Sequence, residues 1–246
     1  MRPAFFIAVI LVGLCSASPA IANGFSDWAA IVVAGDWHAD SGAPSPVFDN
    51  ARRDIAGELV GIGFNPQNIL QFSVRPERDH AHAPRPSHAQ LILSGLSGLA
   101  KRARAGCLAY FTSHGSEDGI AMGKGVLSPR GMARILDKSC GERPAVVIVS
   151  ACFSGVFLPA LARPNRMVLT AAAYDRPSFG CGEADKYTFF DTCAVQWLPK
   201  AGDFPRFAKD VIACIKAREK KENVDLPSNP QLYIDPHATG IFPRWK

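Results

Sequence analysis

The sequence predicts one α/β domain with a mostly parallel central sheet and helices on both faces. Short apolar runs rich in β-branched residues alternate along the chain with longer segments of helical period. This alternation is typical of a sheet that is buried on both sides by helices. The chain shows no internal repeat and no shift in composition that would mark a second domain. We therefore expect residues 23–246 to form a single domain.

The individual elements follow from this alternation. The strand candidates are unbroken apolar runs at residues 29–34, 69–74, 107–112, 145–149 and 167–172, with a last strand near Tyr233. The helix candidates are the longer periodic segments at residues 47–60, 87–105, 128–138, 185–198 and 204–221. Ser128 followed by Pro129 is a typical helix start, because serine caps the first turn and proline is tolerated inside it. Segments rich in Pro, Ser or charge predict loops at residues 36–46, 75–86 and 225–230.

The first 22 residues have the organisation of a secretory signal peptide. Arg2 supplies the basic start, residues 5–14 the apolar stretch, and residues 20–22 the small-x-small cleavage pattern. The apolar stretch is shorter than the roughly 20 residues that a membrane-spanning helix needs. We therefore expect cleavage between Ala22 and Asn23, and a periplasmic or secreted protein without stable membrane insertion.

Net charge and cysteine content indicate which partners and which disulfides to expect. The net charge of +5 is mild and dispersed, which disfavours a nucleic-acid partner. Of seven cysteines, Cys15 leaves with the signal peptide, and the others enter a compartment that permits disulfides. If Cys152 stays a free thiol, at least one further cysteine must also be unpaired. Cys107 and Cys140 each precede an apolar strand, which makes them the first candidate pair.

Two predicted strands are followed by residues that are suited to nucleophilic catalysis. The strand at 107–112 is followed by Ser113-His114-Gly115, and the strand at 145–149 by Ser150-Ala151-Cys152. Active sites of parallel α/β sheets form beyond the carboxyl ends of strands. His114 and Cys152 are therefore expected side by side, as an imidazole next to a thiol that it can activate.

The backbone around this pair also suits acyl transfer. A glycine at position 115 lets a backbone N–H approach a substrate oxygen, so the amides of Gly115 and Cys152 are candidate oxyanion donors. Ser154 and Gly155 permit a sharp turn into a helix. A helix starting directly after Cys152 would favour its thiolate through the partial positive charge of the helix N-terminus.

At these residues the sequence resembles the legumain (asparaginyl endopeptidase) family and, more distantly, caspases and gingipains. The shared features are an apolar strand ending in His-Gly and a later one ending in small-Ala-Cys-x-Ser-Gly. Further similar segments are residues 28–35, 170–172, 187–197 and 228–231. The resemblance implies a caspase-like three-layer α/β sandwich and an endopeptidase of peptide or protein substrates. It also implies a Cys–His dyad that forms a thioester acyl-enzyme without a metal or organic cofactor.

The resemblance further implies a pocket for the substrate side chain that precedes the cleaved bond. Ser178 and Asp191 match two polar positions of that pocket, and Ser150 stands where legumains have an acidic residue. Val47 and Phe48 replace an expected Arg-His pair. With the basic residues missing and Asp191 retained, we expect Asn or a basic side chain to be accepted and Asp to be disfavoured.

Other functions share parts of this pattern. A transamidase or ligase would use the same acyl-enzyme, and an inactive binding module would keep the fold alone. An α/β-hydrolase would use the chain order Cys152, then Asp175 or Asp191, then His237. However, serines flank Cys152 at both positions where the Gly-x-Cys-x-Gly elbow of that fold requires glycine.

Two groups of polar residues have the types that bind metals. Three histidines lie within residues 80–88, but they lack carboxylates or cysteines at the usual ligand spacing. Asp36, His38 and Asp40 follow the first strand, where a polar loop explains them equally well. We expect no metal at either place.

Overall fold

The computed structural model describes residues 24–238 and 240–245, so the predicted signal peptide at residues 1–22 lies outside the described part. The strands are β1 Trp28–Ala34, β2 Ile69–Ser73, β3 Arg85–Pro86, β4 Gly106–Thr112, β5 Gly115–Ser116, β6 Gly119–Met122, β7 Gly125–Leu127, β8 Ala145–Ser150, β9 Arg166–Thr170 and β10 Gln231–Ile234. The helices are α1 Val47–Gly61, α2 Ala89–Arg102, α3 Pro129–Cys140, α4 Leu158–Leu161, α5 Phe189–Ala201 and α6 Phe204–Lys221.

The main sheet has the strand order β10-β9-β8-β4-β1-β2-β3. All neighbouring strands pair in parallel except β10, which runs antiparallel to β9 at the edge. The central strands β1, β4 and β8 are buried along their whole length, which explains why their sequences are continuous apolar runs. This arrangement confirms the α/β class with a mostly parallel sheet.

Helices cover both faces of the sheet and form the outer layers of a three-layer sandwich. Alternate residues of β1 point to opposite faces: Ala30 and Val32 join one core cluster, and Ile31 and Val33 join the other. The first cluster lies under α1, α5 and α6, and the second under α2, α3 and α4. The Ser128 side chain accepts a hydrogen bond from the Gly131 N–H at the start of α3, as its sequence predicts.

The sequence did not predict a small second sheet. Strands β5, β6 and β7 form an antiparallel sheet directly after the His114 segment, in a stretch for which the sequence predicted neither a strand nor a helix. These strands have two to four residues each, too few for a recognisable period.

Two disulfides fasten helices to their neighbours. Cys107 in β4 pairs with Cys140 at the end of α3, which confirms the first candidate pair. Cys193 in α5 pairs with Cys214 in α6. Cys152 and Cys181 are free thiols. None of the helices in the described residues has the length and apolar character needed to cross a bilayer.

Candidate active site

The register of two neighbouring strands brings His114 and Cys152 together. Strands β4 and β8 pair in parallel, with Thr112 opposite Ser150 at their carboxyl ends. His114 and Cys152 each lie two residues beyond that pair, so they extend from the same edge of the sheet. Both side chains line one cleft, whose walls are formed by Phe48, Ser113, His114, Ser150, Ala151, Cys152, Ser178, Phe179, Cys181 and Thr188.

Gly115 is the point where the segments that carry His114 and Cys152 touch. A Cβ atom on Gly115 would lie 2.1 Å from the carbonyl oxygen of Cys152 and 2.9 Å from the Cβ of Ala151. Such distances are far inside van der Waals contact, so only glycine fits here. The His-Gly pair in the sequence therefore has a packing cause in addition to any role of the Gly115 amide.

A backbone carbonyl orients the imidazole of His114. Its Nε2 lies 3.0 Å from the carbonyl oxygen of His38, in the loop after β1. A carbonyl can only accept, so Nε2 carries the proton in this hydrogen bond and Nδ1 is left to accept one. The ring of Phe48 packs edge-on against the imidazole, with 5.0 Å between ring centroids.

The carboxylate of Asp36 fixes the loop that presents the His38 carbonyl. One oxygen of Asp36 accepts hydrogen bonds from the Trp37 N–H at 2.6 Å, the His38 N–H at 3.1 Å and the His38 Nδ1 at 2.7 Å. Arg75 stacks over the Trp37 ring at 4.0 Å and covers the loop from outside. Asp36 and His38 thus form a turn-stabilising pair. Among the described residues, no group of three or more His, Cys, Asp or Glu side chains is arranged to hold a metal ion.

The sulfur of Cys152 is held by the main chain of Ser178, in the loop after β9. The Cys152 thiol donates to the Ser178 carbonyl at 3.4 Å, and the Ser178 N–H donates to the sulfur at 3.2 Å. The side chain is half-buried, and this burial raises the pKa of the thiol above its ordinary value, although the backbone N–H groups oppose the shift.

The expectation that a helix N-terminus stabilises the Cys152 thiolate is wrong. Phe153 adopts a left-handed conformation with φ of 56°, and a 3-10 turn at Ser154–Phe157 follows before the short helix α4. The helical turn therefore begins at Ser154 and not at Cys152, and burial is the largest cause of the raised pKa of Cys152. The Phe153 N–H donates to the Arg176 carbonyl at 2.8 Å, which ties the turn to the same loop that holds the sulfur.

The residues expected to bind the substrate side chain separate into two layers. Ser150 and Ser178 line the cleft, together with Thr188. Asp191 lies behind them with 0% of its surface exposed. Its carboxyl oxygens accept hydrogen bonds from the Tyr110 hydroxyl at 2.5 Å and the Thr112 hydroxyl at 2.7 Å.

The buried carboxyl of Asp191 is nevertheless connected to the cleft. Burial raises its pKa, and hydrogen bonds from surrounding hydroxyls, those of Ser150 and Thr188 included, oppose the rise. The Ser150 and Thr188 oxygens lie 3.3 Å apart at the cleft wall. The sequence did not single out Thr188, although a threonine three residues before Asp191 is a typical helix cap, and it caps α5 here.

The residues of the α/β-hydrolase alternative are not brought together. His237 follows β10, and the antiparallel register places Ile234 opposite Met167 near the start of β9. His237 therefore lies at the edge of the sheet opposite to Cys152. Asp175 pairs with the neighbouring Arg176 at 3.4 Å.

Comparisons with known proteins agree with this arrangement. The crystal structure of caspase-1 from Spodoptera frugiperda matches with a TM-score of 0.61 and 13% sequence identity over 86% of this chain and 88% of that chain. At that identity the likeness shows the fold alone. No curated protein sequence matches the chain. The family model that matches is that of the peptidase C13 family, over residues 95–222, which contain His114, Cys152 and the wall residues from Ser178 to Thr188. The chain therefore belongs to the peptidase C13 family, the legumain family of cysteine peptidases, and has a caspase-like fold.

Proposed function

We propose that this chain is an exported endopeptidase in which Cys152 is the nucleophile and His114 the general acid and base. The observation that carries the proposal is the single cleft that both side chains line, in a chain of a cysteine peptidase family. The contact between Gly115 and the Cys152 carbonyl supports it, because it sets the two segments at one fixed separation.

The proposed reaction begins from a neutral thiol, because burial raises the pKa of Cys152. The sulfur attacks the carbonyl carbon of the scissile peptide bond while its proton passes to Nδ1 of His114. The amides of Gly115 and Cys152 donate to the oxyanion. His114 then protonates the leaving amine, and the bond to nitrogen breaks to leave a thioester on Cys152. Water attacks this thioester with His114 as the base, which releases the acid product and restores the thiol.

The test of the dyad compares three variants on a peptide library, with mass detection of both hydrolysed and ligated products. Cys152→Ala and His114→Ala should each lose on the order of 10⁴-fold or more in kcat, as expected for residues that act directly on the reacting atoms. His237→Ala is the matched control and should keep wild-type activity. Full activity of Cys152→Ala would refute the proposal, and predominantly ligated products would identify a transamidase.

We also propose that the cleft accepts Asn or a basic side chain before the cleaved bond. The wall carries the hydroxyls of Ser150 and Thr188, and behind them the carboxyl of Asp191. Apart from His114 no basic side chain lines the described wall, and Arg176 pairs with Asp175 instead of turning inward. An Asp side chain would meet no compensating charge there.

A matched series of fluorogenic peptides that differ only at this position tests the specificity. Wild type should prefer Asn, Lys or Arg over Asp near neutral pH, and Asp191→Asn should weaken the preference for a cation. Asp191→Asn suits this test better than alanine, because the amide oxygen can still accept a hydrogen bond from Tyr110 or Thr112. Preferred cleavage after Asp would contradict the proposal.

Export is tested separately by N-terminal sequencing of the mature protein. We expect the chain to begin at Asn23 and to be recovered from the periplasm or medium. A retained Cys15 that carries lipid would contradict this part of the proposal.

A further inference from the structure

The cleft contains a second free thiol that the proposed reaction does not use. Cys181 lines the same cleft as Cys152, and both side chains are half-buried. Cys181 lies three residues after Ser178, whose N–H and carbonyl both bond to the sulfur of Cys152. The other cysteines of the described residues are paired in the two disulfides.

The position of Cys181 in the cleft sets the protonation state of its thiol. Burial raises the pKa of Cys181 to about 11, and negative charge on Cys152 and then on Asp40 contributes to the shift. At neutral pH the Cys181 thiol therefore stays protonated while Cys152 reacts, so it does not compete as a nucleophile.

The local backbone can bring Cys181 toward its neighbour. Cys181 lies between Gly180 and Gly182. Glycine has the widest conformational freedom of all residue types. Gly180 already has a φ of +84°, in the left-handed region, and so turns the chain directly before Cys181. From the other side, the Cys181 carbonyl accepts a hydrogen bond of 3.0 Å from the Asp40 N–H, which ties the segment to the loop after β1.

We infer that Cys152 and Cys181 form an intramolecular redox pair, in which a peroxide oxidises the two thiols to a disulfide that reversibly stores the peptidase in an inactive form. The loss of activity rests on the proposed function of Cys152, whereas formation of the disulfide does not. Cys152 thus has two defined states, a free thiol that can attack substrate and a disulfide with Cys181 that cannot.

The chemistry balances in two steps. The Cys152 thiol gives its proton to His114, the thiolate attacks one peroxide oxygen, the O–O bond breaks and hydroxide leaves as water, which gives a sulfenic acid. The Cys181 sulfur then attacks the Cys152 sulfur as its thiol proton passes to the sulfenic hydroxyl. An S–S bond forms, the S–O bond breaks and the hydroxyl leaves as a second water. Two thiols are oxidised and one hydrogen peroxide is reduced to two waters.

The first step makes the second possible. A sulfenic acid gives the Cys152 sulfur a hydroxyl leaving group, which a neighbouring thiol displaces to form a disulfide. Burial protects the Cys107–Cys140 disulfide from exchange with these thiols, because its two cysteines have 0% and 1% of their surface exposed.

The test treats the wild-type protein, with Cys152 and Cys181 as thiols, with a severalfold molar excess of hydrogen peroxide, blocks the remaining thiols with N-ethylmaleimide and maps unreduced peptides by mass. We expect a peptide that links Cys152 to Cys181, appearing in step with the loss of activity, and recovery of both on addition of dithiothreitol. Cys181→Ser and Cys181→Ala should give no linked peptide. In these variants Cys152 should continue to the sulfinic acid, so that dithiothreitol restores several-fold less of each variant's own starting activity than in wild type.

The wild-type peptide map does not depend on the folding of any variant. Absence of the linked peptide from oxidised wild type would overturn the inference, as would dithiothreitol recovery in Cys181→Ser equal to that of wild type. A link that appears only between two chains, seen as a dimer on a non-reducing gel, would also overturn it. Failure of the proposed function shows differently: Cys152→Ala would then keep its peptidase activity.

Discussion

His114 and Cys152 are held in the same way but by loops of different construction. A main-chain carbonyl of the loop after β1 orients His114, and main-chain groups of the loop after β9 hold the sulfur of Cys152. The loop on the histidine side is fixed by one carboxylate, that of Asp36. The loop on the cysteine side is fixed by backbone bonds, such as that from the Phe153 N–H to the Arg176 carbonyl.

This difference tells which substitutions should matter. On the histidine side, loss of the Asp36 side chain removes three hydrogen bonds at once. On the cysteine side, most side chains can change without removing the bonds that hold the sulfur, because every residue except proline keeps its N–H and carbonyl. The two sides meet at Gly115, where any side chain would collide with the Cys152 carbonyl oxygen.

The largest effect is therefore expected from Gly115→Ala, which displaces the His114 and Cys152 segments from each other. The new Cβ would lie 2.1 Å from the Cys152 carbonyl oxygen, so the segments must move apart. A displacement of about 1 Å at a catalytic pair can cost on the order of 100-fold in rate, and we expect at least that loss in kcat. Gly98→Ala is the control, because a Cβ there meets nothing within 4 Å. Wild-type kcat in Gly115→Ala would show that the contact does not set the geometry.

A smaller loss is expected from Asp36→Ala, which acts on the histidine side alone. The side chain is a positioning group, so kcat should fall by about 10-fold, on the order of the 1.4 kcal/mol that a lost hydrogen-bonded anchor is worth. KM should change little, and Asp36→Asn should restore part of kcat because its amide oxygen still accepts. Asp40→Ala removes the same charge from the same loop and serves as the control. Equal losses in Asp36→Ala and Asp40→Ala would point to charge instead of positioning.

The pH dependence of thiol alkylation sharpens the comparison on the cysteine side. Burial raises the pKa of Cys152, so the thiol stays neutral until the pH passes above the ordinary thiol range. The rate of reaction with iodoacetamide in the absence of substrate should therefore rise with a midpoint above that of an unperturbed cysteine, and His114→Ala should leave that midpoint in place. A midpoint well below neutral pH would show a resting thiolate–imidazolium pair.

The smallest effect is expected from Ser178→Ala, measured by alkylation of Cys152. The sulfur bonds only to the main chain of Ser178, so the alkylation rate should stay within about twofold of wild type, as for substitutions that leave the essential contacts intact. Any change in kcat/KM for a peptide would then report on substrate binding at the cleft wall. A large change in alkylation would mean that the serine side chain holds the sulfur.

The order of helices and strands followed from the sequence because strands buried on both sides must be apolar throughout. Helix α6 begins and ends at the predicted residues, Phe204 and Lys221, since proline in its first turn and charged residues in its last turn mark both ends. The meeting of His114 and Cys152 was likewise predictable, because parallel strands bring the residues after their carboxyl ends to one edge. The small sheet of β5, β6 and β7 was not, because such short strands leave no periodic pattern.

The sequence by itself therefore determined the fold class and the meeting of His114 and Cys152 at one edge of the sheet, since each depends on residue type and position along a strand. Only the tertiary structure decided what surrounds them. The partner of His114 is a main-chain carbonyl, which every residue carries and which no sequence pattern can reveal. The burial of Asp191 and the placement of Cys181 in the same cleft as Cys152 depend on how α5 and the loop after β9 pack against β4 and β8. The pKa of a thiol depends on its burial, which only the folded chain shows. The pKa of Cys152 is raised for this reason, whereas the sequence had suggested a lowered one.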